Sequence, residues 1–322
     1  MNNNPITNFT YLIENDYSNI AGIAISKNGS MVFEQYFHEY TKDDALHVAS
    51  VTKSIVSALI GIAVDKGYVK NIEQKVLEFF PDYTIKRGEK TIQNVTIKNL
   101  LTMTAPFKYK SEPYTKVYSS DDWVKAALDL LGGKSDIGEF KYTTVGINIL
   151  SGILTNATGQ SVINFATENL FKPLGIKEPN NAFIQNKEDY LAFLKDKYVT
   201  GWMADPKGVN TAGWGLTLTL RDMMKIGQLY LNGGLWDGKQ ILSSKWIDDS
   251  TSEKSRWGEL SYGYLWWIVD DGYAALGDGG NIIFINPKKK IVVTIASRFM
   301  PRAKDRIELI RKHIMPLFDR IV

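Results

Sequence analysis

"HVASVTKSIVSALIGIAVDKG" (residues 47–67) is the stretch whose reading decides the fold. The apolar run Ile55–Val64 stops at Asp65 and Lys66, and Gly67 supplies a left-handed C′ residue. That pattern predicts a buried helix from about Ser50 to Lys66. It is too short to span a bilayer. Lys53 is out of place on so apolar a helix. Residues three apart share a helix face, so Ser50 and Lys53 face each other one turn apart. Burial and the positive end of the helix dipole both disfavour a cation there, which suits the amine to taking a proton from Ser50. A serine in the first turn also lies beside unpaired backbone N–H groups, the material of an oxyanion hole. The ordinary alternative makes Ser50 a helix cap and lets Lys53 reach to water. No other S-x-x-K tetrad occurs in the chain, but alone such a tetrad is a weak signal.

Composition excludes several chemistries. A net charge of +3 over 322 residues gives no sign of a nucleic-acid or membrane partner. The absence of cysteine removes disulfides, thiolate nucleophiles and Cys-zinc sites. Three histidines without an HExxH pair argue against a metal site, and neither a G-x-S-x-G elbow nor a phosphate-binding glycine loop is present. His47, three residues before Ser50, reads as part of an extended lead-in. The first residues lack a basic segment followed by an apolar core, so the chain reads as a soluble cytoplasmic protein with no transmembrane segment.

Working outward, "IAGIAISKNGSMVFEQYF" (20–37) predicts a hairpin turning at Asn28-Gly29. Amphipathic helices follow in "TIKNLLTMT" (96–104), "SSDDWVKAALDLL" (119–131), "TTVGINILSGILTNATG" (143–159, capped by Thr143 or Thr144) and "TLRDMMKIGQLYLNGG" (219–234). The tail turns to strands: "YGYLWWIV" (262–269), "GYAALG" (272–277), "NIIFIN" (281–286) and "KIVVTIAS" (290–297). A last amphipathic helix covers 301–321, with Ile307, Ile310, Ile314 and Leu317 at helical spacing. Strands at both ends with helices between predict an α+β protein. Residues 1–46 and 258–322 form its sheet domain, and 47–257 a mostly helical domain. Two further places carry chemistry. Tyr142 stands just before a helix, where a phenol beside a cation can relay a proton. Gly277, Gly279 and Gly280 leave a strand end bare enough to offer an N–H to a carbonyl.

Taken in order, these segments resemble the serine β-lactamase and penicillin-binding-protein family, and within it the class C-related branch that holds esterases and 6-aminohexanoate-dimer hydrolases. "TIKNLLTMTA" is similar to that family's LLTHTSG segment, with Met103 in place of histidine. "FKYTTVGINIL" is similar to its tyrosine motif, and "GWGLTLTLRDMMKIGQLYLNGG" and "YGYLWWI" to stretches of the branch. The resemblance implies a five-stranded antiparallel sheet flanked by helices beside a helical domain, with the site in the cleft between. It implies Ser50 as nucleophile, Lys53 as base, Tyr142 as relay, and the N–H groups of Ser50 and Asp278, after Gly277, as oxyanion hole. Tyr114 stands where the branch places a substrate-contacting tyrosine. No metal or cofactor is implied. Two departures stand out: Thr144 occupies the asparagine position of the tyrosine motif, and Ala275-Leu276-Gly277 replaces the cation-bearing third motif. Arg298 is a candidate replacement for that cation. The reading is a serine hydrolase of small amides or esters. Its rivals are a weak β-lactamase or D-Ala-D-Ala carboxypeptidase acting on β-lactams or peptides, and a non-catalytic acylated sensor. The oligomeric state is left open.

Overall fold

The structure, a computed structural model, describes residues 5–318. Its first strands are β1 (Ile20–Lys27) and β2 (Ser30–Tyr36), joined as a hairpin. Asn28 and Gly29 take φ of 52° and 82°, the two left-handed conformations a type I′ turn needs. Short β3 (Ala45–His47) pairs with β4 (Thr217–Thr219) outside the main sheet. The other strands of the main sheet are β5 (Ser255–Trp257), β6 (Leu260–Tyr262), β7 (Trp267–Val269), β8 (Gly272–Gly277), β9 (Asn281–Asn286) and β10 (Ile291–Ser297).

They form one antiparallel sheet in the order β2-β1-β10-β9-β8-β7-β6-β5. The sheet has eight strands where five were expected. The excess lies at its far edge. "YGYLWWIV" is not one strand: Leu265 takes φ 61°, and a Cβ at Gly263 would lie 2.0 Å from the Ser250 carbonyl oxygen. The chain folds back there, pairing Tyr262 with Trp267, and a further hairpin around Gly258 adds β5.

Strands β9 and β10 are buried on both faces, which is why they read as continuous apolar runs. Ile282, Phe284, Val293 and Ile295 meet Phe9 and Ile13 of helix α1 (Pro5–Asp16) and Leu309, Ile310 and Ile314 of the last helix, 306–318. That last helix is π-wound over Ile310–Ile314, and its expected continuation lies outside the described residues. Ile283, Ile285 and Val292 face the other layer, formed by α2 (Val51–Asp65) and α4 (Leu220–Leu231), with α3 (Asn148–Thr158) packed behind α2. A Cβ at Gly227 of α4 would sit 2.4 Å from Val292 Cγ1, so only glycine allows that approach. All residues from Val51 to Ala63 are buried, so α2 is a central helix, covered on every side. No helix among the described residues is long and apolar enough to cross a membrane.

Phe284 is wholly buried and Met31 is 44% exposed. Phe284→Ala is expected to cost about 3–5 kcal/mol of unfolding free energy in urea, and Met31→Ala no more than about 0.5 kcal/mol. Equal midpoints for the two variants would contradict this layering.

Candidate active site

The residues before Ser50 are held on both sides. The Val48 N–H donates to the Leu216 carbonyl at 2.9 Å, continuing the β3–β4 pairing. Ala49 then takes φ 49°, a left-handed turn that costs a non-glycine residue about 1–2 kcal/mol. It swings the chain from strand directly into α2. Ser50 occupies the N-cap position, yet its side chain makes no cap bond. Instead its Oγ accepts a hydrogen bond from Lys53 Nζ at 2.9 Å.

Lys53 is 1% exposed, so it does not reach to water. Both halves of the ordinary alternative fail on these two observations. Its amine also donates to the Gly213 carbonyl at 2.8 Å and to Thr144 Oγ1 at 3.3 Å. The three acceptors come from three segments of chain and all are neutral oxygens. Gly213 is required there: a Cβ would lie 2.4 Å from the Thr144 carbonyl oxygen.

Tyr142 lies over the same amine, its ring centroid 4.8 Å from Nζ. The ring stacks on Trp267 at 5.8 Å and meets the edge of Tyr262 at 6.3 Å. No hydrogen bond joins its hydroxyl to Ser50 or Lys53. Helix α3 begins only at Asn148, so neither Thr143 nor Thr144 caps it as expected. Thr143 Oγ1 accepts the Gly146 N–H at 2.9 Å and closes a tight turn ahead of the helix. The turn leaves Thr144 free to face Lys53. Met103, in the histidine position of the resembled segment, lies under this turn, its carbonyl accepting the Lys141 N–H.

The Gly277 edge sits against the other flank of the Ser50 lead-in. A Cβ on Gly277 would fall 2.2 Å from the Val48 carbonyl oxygen, so glycine sets how closely β8 approaches. Asp278 follows with its side chain exposed and Oδ1 accepting the Gly279 N–H at 2.8 Å. Buried Asn281 staples the two segments. Its Nδ2 donates to the carbonyls of His47 and Asp278, both at 3.2 Å, and its Oδ1 accepts the Ser297 N–H.

Tyr114 is half exposed and donates its hydroxyl to Glu112 Oε2 at 2.6 Å. Burial of the phenol, then that carboxylate, hold its pKa well above the usual tyrosine range. The Arg298 guanidinium donates to the Ser18 carbonyl at 2.9 Å. No group of three or more His, Asp or Glu residues among those described is placed to hold a metal ion.

His47 is structural. Its Nε2 accepts the Gly215 N–H at 3.2 Å, and its ring packs on Phe193 and Trp214, so it does not face Ser50 as a base. Reading the sequence missed two contributors, the Gly213 carbonyl and Asn281. Gly213 opens the stretch "GWGLTLTL", but a backbone carbonyl leaves no side-chain signature. Asn281 reads as the polar first residue of a strand.

Comparison with known proteins follows the same line. The family profile described as Beta-lactamase matches residues 15–314. The 6-aminohexanoate-dimer hydrolase of Paenarthrobacter ureafaciens is 22% identical over 298 residues, covering 82% of this chain and 69% of that protein. The octameric penicillin-binding protein homologue of Pyrococcus abyssi superposes with TM-score 0.70 at 20% identity, over 99% of this chain and 78% of its own. The penicillin-binding protein homologue of Caulobacter crescentus gives 0.71 at 18% identity, over 93% and 92%.

Desolvation lowers the His47 pKa to about 3, against about 6.5 in an unfolded chain. As pH falls, the unfolded chain is therefore protonated first. The stability that neutral His47 contributes is present above pH 6.5 and is lost as pH drops toward 3. Urea midpoints should fall across that window, and fall less in His47→Gln, whose amide oxygen still accepts from Gly215. Identical pH slopes for the two proteins would count against this assignment.

Proposed function

The chain belongs to the Beta-lactamase family, and on that premise we propose that it is a serine hydrolase cleaving a small amide or ester through a covalent acyl-enzyme. The observation that carries the reading is the Ser50 Oγ to Lys53 Nζ hydrogen bond of 2.9 Å, made by a lysine that is 1% exposed.

With Lys53 as the neutral amine the short contact runs the other way, Ser50 Oγ–H donating to the Nζ lone pair, and Ser50 Oγ attacks the substrate carbonyl as that proton passes to Nζ. Ammonium has three N–H donors, and the amine already faces three acceptors, Ser50 Oγ, Thr144 Oγ1 and the Gly213 carbonyl. The Tyr142 ring face adds an attraction for the cation formed. The N–H groups of Ser50 and Asp278 receive the oxyanion, at a separation fixed by Gly277 and Asn281. Collapse of the tetrahedral adduct breaks the bond to the leaving nitrogen or oxygen, which takes its proton from Lys53; the Tyr142 hydroxyl, not bonded to the amine before substrate enters, is the proposed relay once the leaving group lies between them. Water then enters by the reverse of these transfers and frees the acid and Ser50.

Charge argues for the class of substrate. The usual motif cation is replaced by Ala275-Leu276, and Arg298 is engaged with the Ser18 carbonyl. A charge-assisted contact to a substrate carboxylate, worth ~1.5–3 kcal/mol, is thereby missing. The exposed Asp278 carboxylate adds repulsion. Neutral or cationic amides and esters are favoured over penicillins.

The test is a panel of p-nitrophenyl acetate and butyrate, the anionic p-nitrophenyl glutarate, the 6-aminohexanoate dimer and nitrocefin. Turnover of the two neutral esters should exceed that of the two anionic compounds by at least about tenfold in kcat/KM, matching the missing contact, while the dimer, a zwitterion, tests whether an amide bond is cleaved. Ser50→Ala should lose at least about 10³-fold in kcat. Turnover of nitrocefin alone would overturn the substrate class, and full activity in Ser50→Ala the mechanism.

A further inference from the structure

One carboxylate outside the residues assigned so far gathers the elements around Ser50. Glu112 Oε1 accepts the N–H of Thr144 at 2.7 Å, the N–H of Val145 at 3.0 Å and the Thr143 hydroxyl at 2.6 Å. The Tyr109 hydroxyl adds a longer bond to the same oxygen at 3.3 Å, while Oε2 takes the Tyr114 hydroxyl. We propose that Glu112 is a positioning residue, holding the Tyr142–Thr144 turn and Tyr114 in register with Ser50 and Lys53.

Two successive amides of a turn point at one carboxylate, and hydrogen bonds to an ionised group are roughly twice as strong as neutral ones. Thr144 is the next link, since its hydroxyl accepts from Lys53. The loop that carries Glu112 is itself tied down: Tyr109 stacks on Phe107, and Lys141 Nζ donates to the Phe107 and Tyr109 carbonyls. Pro113 restricts the backbone of Glu112 to extended conformations. A shift of this turn would move Thr144 away from Lys53 and Tyr142 off the amine. Glu112 therefore acts on the chemistry through the turn and does not touch the reacting atoms. The inference rests on the acyl-serine reading only for its effect on rate.

Two measurements separate these parts. Amide exchange, followed by NMR, reads the clamp directly at Thr144 and Val145. Labelling of Ser50 by a fluorophosphonate reads its consequence. In Glu112→Ala, exchange at those two amides should quicken at least about tenfold while the amides of α3 keep their protection, and labelling should slow by at least about tenfold. Glu112→Gln keeps one acceptor oxygen and the side-chain length but loses the charge, so it should restore both in part. If Glu112→Ala does not fold, Thr143→Val removes one donor to the same oxygen and should move both readings in the same direction. Unchanged exchange at 144 and 145 in the variants rejects the clamp. So does labelling in Glu112→Ala as fast as in wild type, or a Gln variant no better than Ala. Failure of wild type to label rejects the reading of Ser50 instead, and the exchange data still decide on Glu112.

Discussion

An amine buried in the middle of a protein must find acceptors, and the three that meet Lys53 Nζ organise what surrounds them. Ser50 comes from the head of α2, Thr144 from the turn before α3, and Gly213 from the segment that runs into β4. Losing any one would leave a buried polar group short of a partner, a cost of about 1–3 kcal/mol. Three stretches far apart in sequence are thereby obliged to meet at one nitrogen. Small residues make that meeting possible, Gly213 against Thr144 above all.

In the proposed mechanism the second constraint is the distance between the two backbone N–H groups that receive the oxyanion. Ser50 presents one at a strand-to-helix turn that Ala49 takes in a left-handed conformation. Asp278 presents the other at the end of β8. What fixes their spacing is close packing: Gly277 lies against the Val48 carbonyl, and the Asn281 amide bridges His47 and Asp278. On the far side, Arg306 donates to Asn19 Oδ1, and Asn19 Nδ2 donates to the Gly279 carbonyl. The turn at 278–280 is thus supported from front and back. Rigid support of this kind is what lets backbone donors stabilise developing charge without first reorganising.

How much of this was readable beforehand divides by physical type. Helix α2 and its glycine stop, the Asn28-Gly29 hairpin and the close approach at Gly277 follow from backbone chemistry that only certain residues allow. The Ser50–Lys53 pair follows from helical spacing. The sheet's far edge was read wrongly because "YGYLWWIV" has strand composition throughout, while the break at Gly263–Leu265 is imposed by packing against Ser250. Helix α1 was missed since its contacts, Phe9 and Ile13, make a stripe only two residues wide. The start of α3 was misplaced because threonine is a good cap, and here Thr143 serves a tighter turn instead. The Gly213 carbonyl and Glu112 were beyond reach for a common reason: their roles depend on which segments meet, and no local pattern encodes that.

The central claim is that Lys53 activates Ser50 for acylation, and the most direct measurement is intact-protein mass after rapid acid quench with a slowly turned-over activated ester. Wild type should gain the mass of one acyl group, mapped to Ser50 by peptide sequencing, and Lys53→Met should gain it at least about 10²-fold more slowly. No adduct on wild type under turnover, or equally fast acylation of Lys53→Met, would contradict the account.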